Sequence, residues 1–264
     1  MPTKLINNTN LHYVDRGHGT PVLLVHGFPL DSRMWDAQIE ALSDHYRIIA
    51  PDLRGFGQSA STNPFTMDSL ADDLHALLKE LGALPAMVGG LSMGGYVTLA
   101  YARKYPNDLR AIGLIDTRSE GDNEQGKQNR NRLIQLVREK GSTAIADEML
   151  PKLVAEETLK RRQDITHKLR RIMESQTPKT IENALAAMRD RPDRTPDLPN
   201  ISVPTLIVVG EQDAITPPSL SEAMSKQLKH STLSVIRRAG HMSPMEQPQD
   251  VTTAFRGFAE RVMR

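Results

Sequence analysis

The stretch Ala86-Met87-Val88-Gly89-Gly90-Leu91-Ser92-Met93-Gly94-Gly95-Tyr96-Val97-Thr98-Leu99-Ala100-Tyr101-Ala102 runs from an apolar, strand-like segment through a glycine-flanked serine into a helix-like segment. At its centre, Gly90 to Gly94 spell G-x-S-x-G, the pattern that sets a serine on a sharp strand-to-helix turn. Such a turn strains the serine backbone, and glycines on either side remove Cβ atoms that would collide. The helix beyond it aims its first N–H groups at the serine, where they favour developing negative charge. Ser92 is therefore a candidate nucleophile. It needs a base, an acid and oxyanion donors from elsewhere in the chain.

Outward from this stretch, short apolar runs recur at residues 22–25, 47–50, 86–88, 111–115, 205–209 and 233–236. Near-continuous hydrophobicity in runs this short suits strands buried on both faces. Residues 5–14 read as a hairpin around an Asn-rich turn. Amphipathic helical patterns separate the runs, notably over 67–81 (Leu70, Leu74, Leu77, Leu78, Leu81, then Gly82 as C-cap), 217–228 and 247–262. Strands alternating with helices predict a doubly wound, mostly parallel sheet. One interval breaks the rhythm: between the runs at 111–115 and 205–209 there is no strand pattern, only helical ones over 128–140, 143–150, 156–174 and 178–189. A crossover of that length predicts a helical insertion. Placed after a strand's C-terminal end, it lies over the crevice where open α/β sheets bind ligands, as a lid.

The base is expected after the last strand, and His241 stands there, with Gly240 permitting the bend that turns the imidazole back. His230 is the alternative, but its place at a helix end beside Lys229 is explained by the helix dipole. For the acid, Asp213 follows the preceding strand in a turn, where it can accept the imidazole N–H. Helix capping is the bland reading of Asp213, and Glu211 and Asp116 are the alternative acids. Oxyanion donors are expected from the N–H of Met93, after the nucleophile, and of Phe28, in the turn His26-Gly27-Phe28-Pro29. Gly27 admits close approach there, Pro29 has no N–H, and His26 reads as a brace for the turn.

With these residues in place the chain resembles the α/β-hydrolase superfamily over nearly its whole length. Further motifs carry the resemblance: Val25-His26-Gly27-Phe28-Pro29, the run Ala50-Pro51-Asp52-Leu53-Arg54-Gly55-Phe56-Gly57-Gln58-Ser59, Pro204-Thr205-Leu206-Ile207 with Gly210 and Asp213, and Gly240-His241 with Glu246-Gln247-Pro248. It implies an eight-stranded, mostly parallel sheet flanked by helices, with a core of residues 1–117 and 198–264 and a helical cap of 118–197 inserted after strand 6. The chain is most similar to the small cofactor-free group of 3-oxoadipate enol-lactonases, non-haem haloperoxidase-like esterases and pimeloyl-type methyl esterases. Haloalkane dehalogenases and epoxide hydrolases carry an Asp nucleophile where this chain has Ser92. Dehalogenases also carry a halide-binding Trp where Met93 stands, and no lid tyrosine is available because residues 106–254 contain no Phe, Tyr or Trp.

The expected activity is hydrolysis of small carboxylic esters through an acyl-enzyme, with a lactonase or a C–C hydrolase on the same triad as alternatives. A non-catalytic ligand-binding receptor on the same fold is the reading from another class. The lid's Leu, Ile, Val and Met suit an aliphatic or small acyl group, and a lid arginine suits an anionic one. A formal net charge of +1 and 25% charged residues exclude a strong polyanion-binding field. Absence of cysteine excludes thiol catalysis, thiolate metal sites and disulfides. No cofactor and no metal are expected; nor is nucleic acid or membrane expected as a partner. The anticipated partner is a small-molecule ester or lactone. A homodimer is left open, and the expected setting is cytoplasmic, since no signal peptide or membrane-spanning run is evident.

Overall fold

The apolar runs become the parallel strands of one sheet in the computed structural model, which describes residues 2–59, 61 and 63–262. The eight strands are β1 (Thr3–Ile6), β2 (Thr9–Arg16), β3 (Thr20–Val25), β4 (Tyr46–Pro51), β5 (Ala86–Leu91), β6 (Leu109–Ile115), β7 (Thr205–Gly210) and β8 (Ser231–Ile236), in the order β1-β2-β4-β3-β5-β6-β7-β8. Neighbours from β4 to β8 pair in parallel, whereas β1 and β2 pair antiparallel. The hairpin is tighter than the Asn-rich stretch implies. Only Asn7 and Asn8 form the loop, both with positive φ (44° and 63°), and Ile6 pairs directly with Thr9. That is the two-residue turn whose twist matches the strands, and asparagine tolerates its left-handed backbone.

Helices α1 (Asp36–Leu42), α2 (Met67–Glu80), α3 (Met93–Lys104), α8 (Pro218–Gln227), α9 (Ser243–Glu246) and α10 (Pro248–Val262) flank the sheet. Successive β3 residues serve opposite faces: Leu23 and Val25 join a layer with α2 and α3, and Val22 and Leu24 one with α1 and α10. Burying each such side chain is worth about 1.5–3 kcal/mol. β8, the outer strand, is less buried than its run implied, with Val235 47% exposed.

The insertion after β6 is helical: α4 (Glu124–Leu153), α5 (Glu156–Arg161), α6 (Gln163–Glu174) and α7 (Pro178–Arg189). Gly141 interrupts α4 with a φ of 74°, where the sequence patterns 128–140 and 143–150 part. The pattern 156–174 is likewise broken, at Arg162, into α5 and α6. The break in α4 has a packing reason. Leu133, Ile134 and Val137 before it, with Ile145 just after it, join the α2–α3 layer with α7, while Ala146, Leu150 and Leu153 further on join the α1–α10 layer with α6. One straight helix cannot present its apolar face to both. The cap's aliphatic residues also pack in one cluster with Phe28, Phe65 and Tyr96 of the core, so rings absent from the cap are supplied from below. Among the described residues, no helix is long and apolar enough to cross a membrane.

Candidate active site

Ser92 sits between β5 and α3 with φ 53° and ψ −112°, a conformation that costs a non-glycine residue on the order of 1–3 kcal/mol. The surroundings over-determine it. Its N–H donates to the Ile115 carbonyl at 2.9 Å, and Thr117 Oγ1 donates to its carbonyl at 2.8 Å. A Cβ on Gly90 would run into the Gly94 backbone, and one on Gly94 into the carbonyls of Val25 and His26. The pentamer is thus wedged between β3, β6 and the next helix, with Ser92 half-buried on the turn.

The turn after β3 lies against it. A Cβ on Gly27 would stand 2.6 Å from the Leu91 side chain and 3.6 Å from Ser92 Cβ. His26 braces this turn from below: Nδ1 pairs with the Gly27 carbonyl at 2.9 Å, and Nε2 accepts the Leu53 N–H at 3.0 Å. Both contacts suit a neutral ring, and burial lowers its pKa. The N–H groups of Phe28 and Met93 donate to no protein atom among the described residues. Two unpaired donors beside a strained serine are free to receive an anionic oxygen.

Asp213 and His241 are brought together. Their Oδ2 and Nδ1 lie 2.8 Å apart, and both residues are buried. Asp213 Oδ1 accepts the N–H groups of Ile215 and Thr216 at 2.8 and 2.9 Å, and Oδ2 accepts the Thr216 hydroxyl at 2.6 Å. Burial alone would raise this carboxyl's pKa, but His241 and Thr216 outweigh it and hold the group below its ordinary range. Asp213 does not cap α8, which begins at Pro218 behind Pro217. With Nδ1 donating to Asp213, Nε2 is the basic nitrogen and has no protein partner among the described residues.

The histidine loop doubles back over the sheet. Gln212 N–H donates to the Ala239 carbonyl at 2.8 Å, and a Cβ on Gly210 would strike the backbone of Ala239 and Gly240. One step on, Ser243 Oγ reaches the Asp116 carboxyl at 2.5 Å, at the end of β6, the strand beside that of Ser92. Asp116 itself touches Gly210 N–H and Ser243, not the imidazole. Burial, then the charge of Asp213, pushes its pKa well above the carboxylate range. His230 lies at the opposite edge of the sheet, where its carbonyl accepts from Thr205 at the start of β7. Glu211 is exposed and accepts the Arg238 N–H.

Thr216, Thr117 and Ser243 have no counterpart in the sequence reading. Thr216 was accessible from its spacing, since an Asp accepting from the backbone three residues on is an Asx-type turn. The other two depend on strands distant in sequence. Arg118, Arg191 and Arg194 gather beside Met67, Tyr96 and Leu99, with Arg191 stacked 4.0 Å over the Tyr96 ring, but each is already paired, Arg118 and Arg191 with Asp122 and Arg194 with Asp68 and Asp197. Among the described residues, no group of three or more His, Asp and Glu side chains could hold a metal ion.

Known proteins share this arrangement of strands and cap. The chain is 44% identical to a thermophilic esterase from Thermogutta terrifontis, solved with malate bound, covering 100% of this chain and 99% of that one at a TM-score of 0.96. It is 25% identical to the enol-lactonase from Burkholderia xenovorans, over 98% of this chain and 100% of that one, at a TM-score of 0.91. A 3-oxoadipate enol-lactonase of Acinetobacter baylyi is 32% identical, over 88% of this chain and 84% of its own. The profile of the alpha/beta hydrolase fold matches residues 20–248, a span running from β3 through the elbow and cap to the end of the histidine loop, and the chain therefore belongs to the alpha/beta hydrolase family.

Proposed function

We propose that this chain is a carboxylic-ester hydrolase that cleaves small esters through an acyl-enzyme, with Ser92, His241 and Asp213 as its triad. The observation that carries the reading is the 2.8 Å pair between Asp213 and His241, buried at the same sheet edge as a strained, half-exposed serine. The esterase and enol-lactonase names of its relatives support the same chemistry. His241 Nε2 takes the Ser92 Oγ proton as Oγ attacks the ester carbonyl, and the N–H groups of Phe28 and Met93 receive the charge on the carbonyl oxygen. Asp213 keeps the proton on Nδ1 and stabilises the imidazolium. Collapse of the intermediate releases the alcohol, protonated by His241. Water then gives a proton to His241 and attacks the acyl carbon; as this second intermediate collapses, His241 returns the proton to Ser92 Oγ and the acid is released.

Hydrolysis of short-chain p-nitrophenyl esters by the wild type and Ser92→Ala tests this directly. The wild type is expected to turn over and the variant to fall to background. Equal rates would make the chain a binding scaffold instead. A lactone substrate is the second reading, supported by the enol-lactonase names of relatives 32% and 25% identical. On that reading, an enol-lactone is hydrolysed with a higher kcat/KM than an open-chain ester of equal size.

A further inference from the structure

His241 follows Gly240, whose N–H is held by the carboxylate of Glu246, donating to its Oε1 at 2.8 Å. The other oxygen faces the cap: Oε2 accepts the N–H of Ala155, the residue before α5, at 2.8 Å, and Thr158 in the first turn of α5 lies against the carboxylate. At the same seam a Cβ on Gly240 would stand 2.6 Å from Ala155 N and 2.7 Å from the Val154 carbonyl carbon. Histidine loop and α4–α5 junction therefore meet backbone to backbone. Glu246 is 1% exposed, and no Lys or Arg forms an ion pair with it among the described residues. A lone buried carboxylate is costly unless its oxygens are satisfied; here each oxygen accepts a backbone N–H, which a glutamine with one accepting oxygen cannot reproduce.

We propose that Glu246 is a positioning residue that couples the cap to the base, fixing the backbone just before His241 while gripping the chain where it enters α5. The inference rests on the assignment of His241 as base. Motion of the α4–α5 junction is transmitted through Glu246 to the imidazole, and the same clamp makes turnover sensitive to acid. Burial raises the Glu246 carboxyl above its usual range in spite of its backbone donors, so it takes up a proton before an exposed glutamate would. The protonated acid accepts fewer of those N–H groups. The groups facing it are few. Asp116 of β6 feels its charge, His241 lies within the clamped loop, and Glu157, Arg161, Arg162 and Arg238 line a cleft of about 380 Å³ beside Thr158.

The experiment compares the wild type with Glu246→Gln and Thr158→Val. It reads thermal unfolding, kcat and KM for a p-nitrophenyl ester against pH, and the downfield proton resonance of His241 Nδ1–H, which needs no substrate. Expected for Glu246→Gln is a kcat lower by about 10- to 100-fold, the scale set by misplacement of a reacting group, with KM changed far less. The acid limb of kcat becomes shallower by one proton, and the His241 resonance shifts or broadens. Thr158→Val, which loosens only the cap end, shifts the resonance in the same direction by less. If Glu246→Gln fails to fold, the Thr158→Val resonance decides. An unmoved resonance with an unchanged acid limb overturns the coupling, and so does a kcat loss that merely follows the unfolded fraction. Should the wild type hydrolyse no ester, the proposed function fails while the resonance still tests the clamp.

Discussion

Two carboxyl groups at neighbouring strand ends, Asp116 and Asp213, are driven in opposite directions by their partners. Asp213 faces the His241 imidazole and three further donors, which overcome burial; Asp116 has two donors, no imidazole and its neighbour's charge. Their substitutions should separate accordingly. Asp213→Asn is expected to lower kcat by about 10⁴-fold, because an amide no longer fixes the imidazole tautomer. Asp116→Asn should leave most of it, and steady-state kinetics on one ester distinguishes the two. Stability has its own sign. A carboxyl raised in the fold contributes stability that is present below its unfolded pKa and lost as pH rises through the folded one. Asp116→Asn therefore gains on the wild type as pH increases, which thermal unfolding across a pH series would reveal. From the sequence, Asp213 and Asp116 both follow strands and both remain candidates. What separates them is which carboxylate the imidazole reaches, and that contact spans 28 residues of chain.

At the scale of elements, the elbow shows how a local pattern becomes a rigid device. G-x-S-x-G is legible because each glycine answers a steric demand, yet the atoms making the demand lie on β3 and within α3. Gly94→Ala puts a methyl against the Val25 and His26 carbonyls, and is expected to cost about 1–3 kcal/mol and most of the activity. Gly141 offers the contrast. Nothing lies within 4 Å of a Cβ placed there, so the penalty for Gly141→Ala comes from its φ of 74° alone. Roughly 1–2 kcal/mol of lost stability with unchanged KM is the expected result by chemical denaturation and kinetics. Strand and helix periodicity marked most elements, since period follows from local geometry. The short α1 and the break between α5 and α6 escaped it, because tertiary packing and not amphipathicity sets them.

Across the whole molecule the cap is tied down by a few buried charges and by backbone contact. Asp122 binds Arg118, Arg130 and Arg191, spanning the segment after β6, α4 and the loop after α7. Burial opposes its ionisation, but the arginines prevail and lower its pKa, so its contribution is present above the unfolded carboxylate pKa and lost as pH falls through the folded one. Asp122→Ala strands three guanidinium groups and is expected to cost about 3–5 kcal/mol. Arg103→Ala, at an exposed pair with Asp197, should change stability by no more than about 0.5 kcal/mol in the same denaturation experiment. The sequence by itself determined the fold class, the strand-end positions of Ser92, Asp213 and His241 and the place of the helical insertion, because period, glycine placement and strand-end position are local properties of the chain. Only the tertiary structure decided which aspartate holds His241, which arginines surround Asp122 and that Glu246 bridges the cap and the loop of His241. Those are distances between segments far apart in sequence, and packing alone sets them.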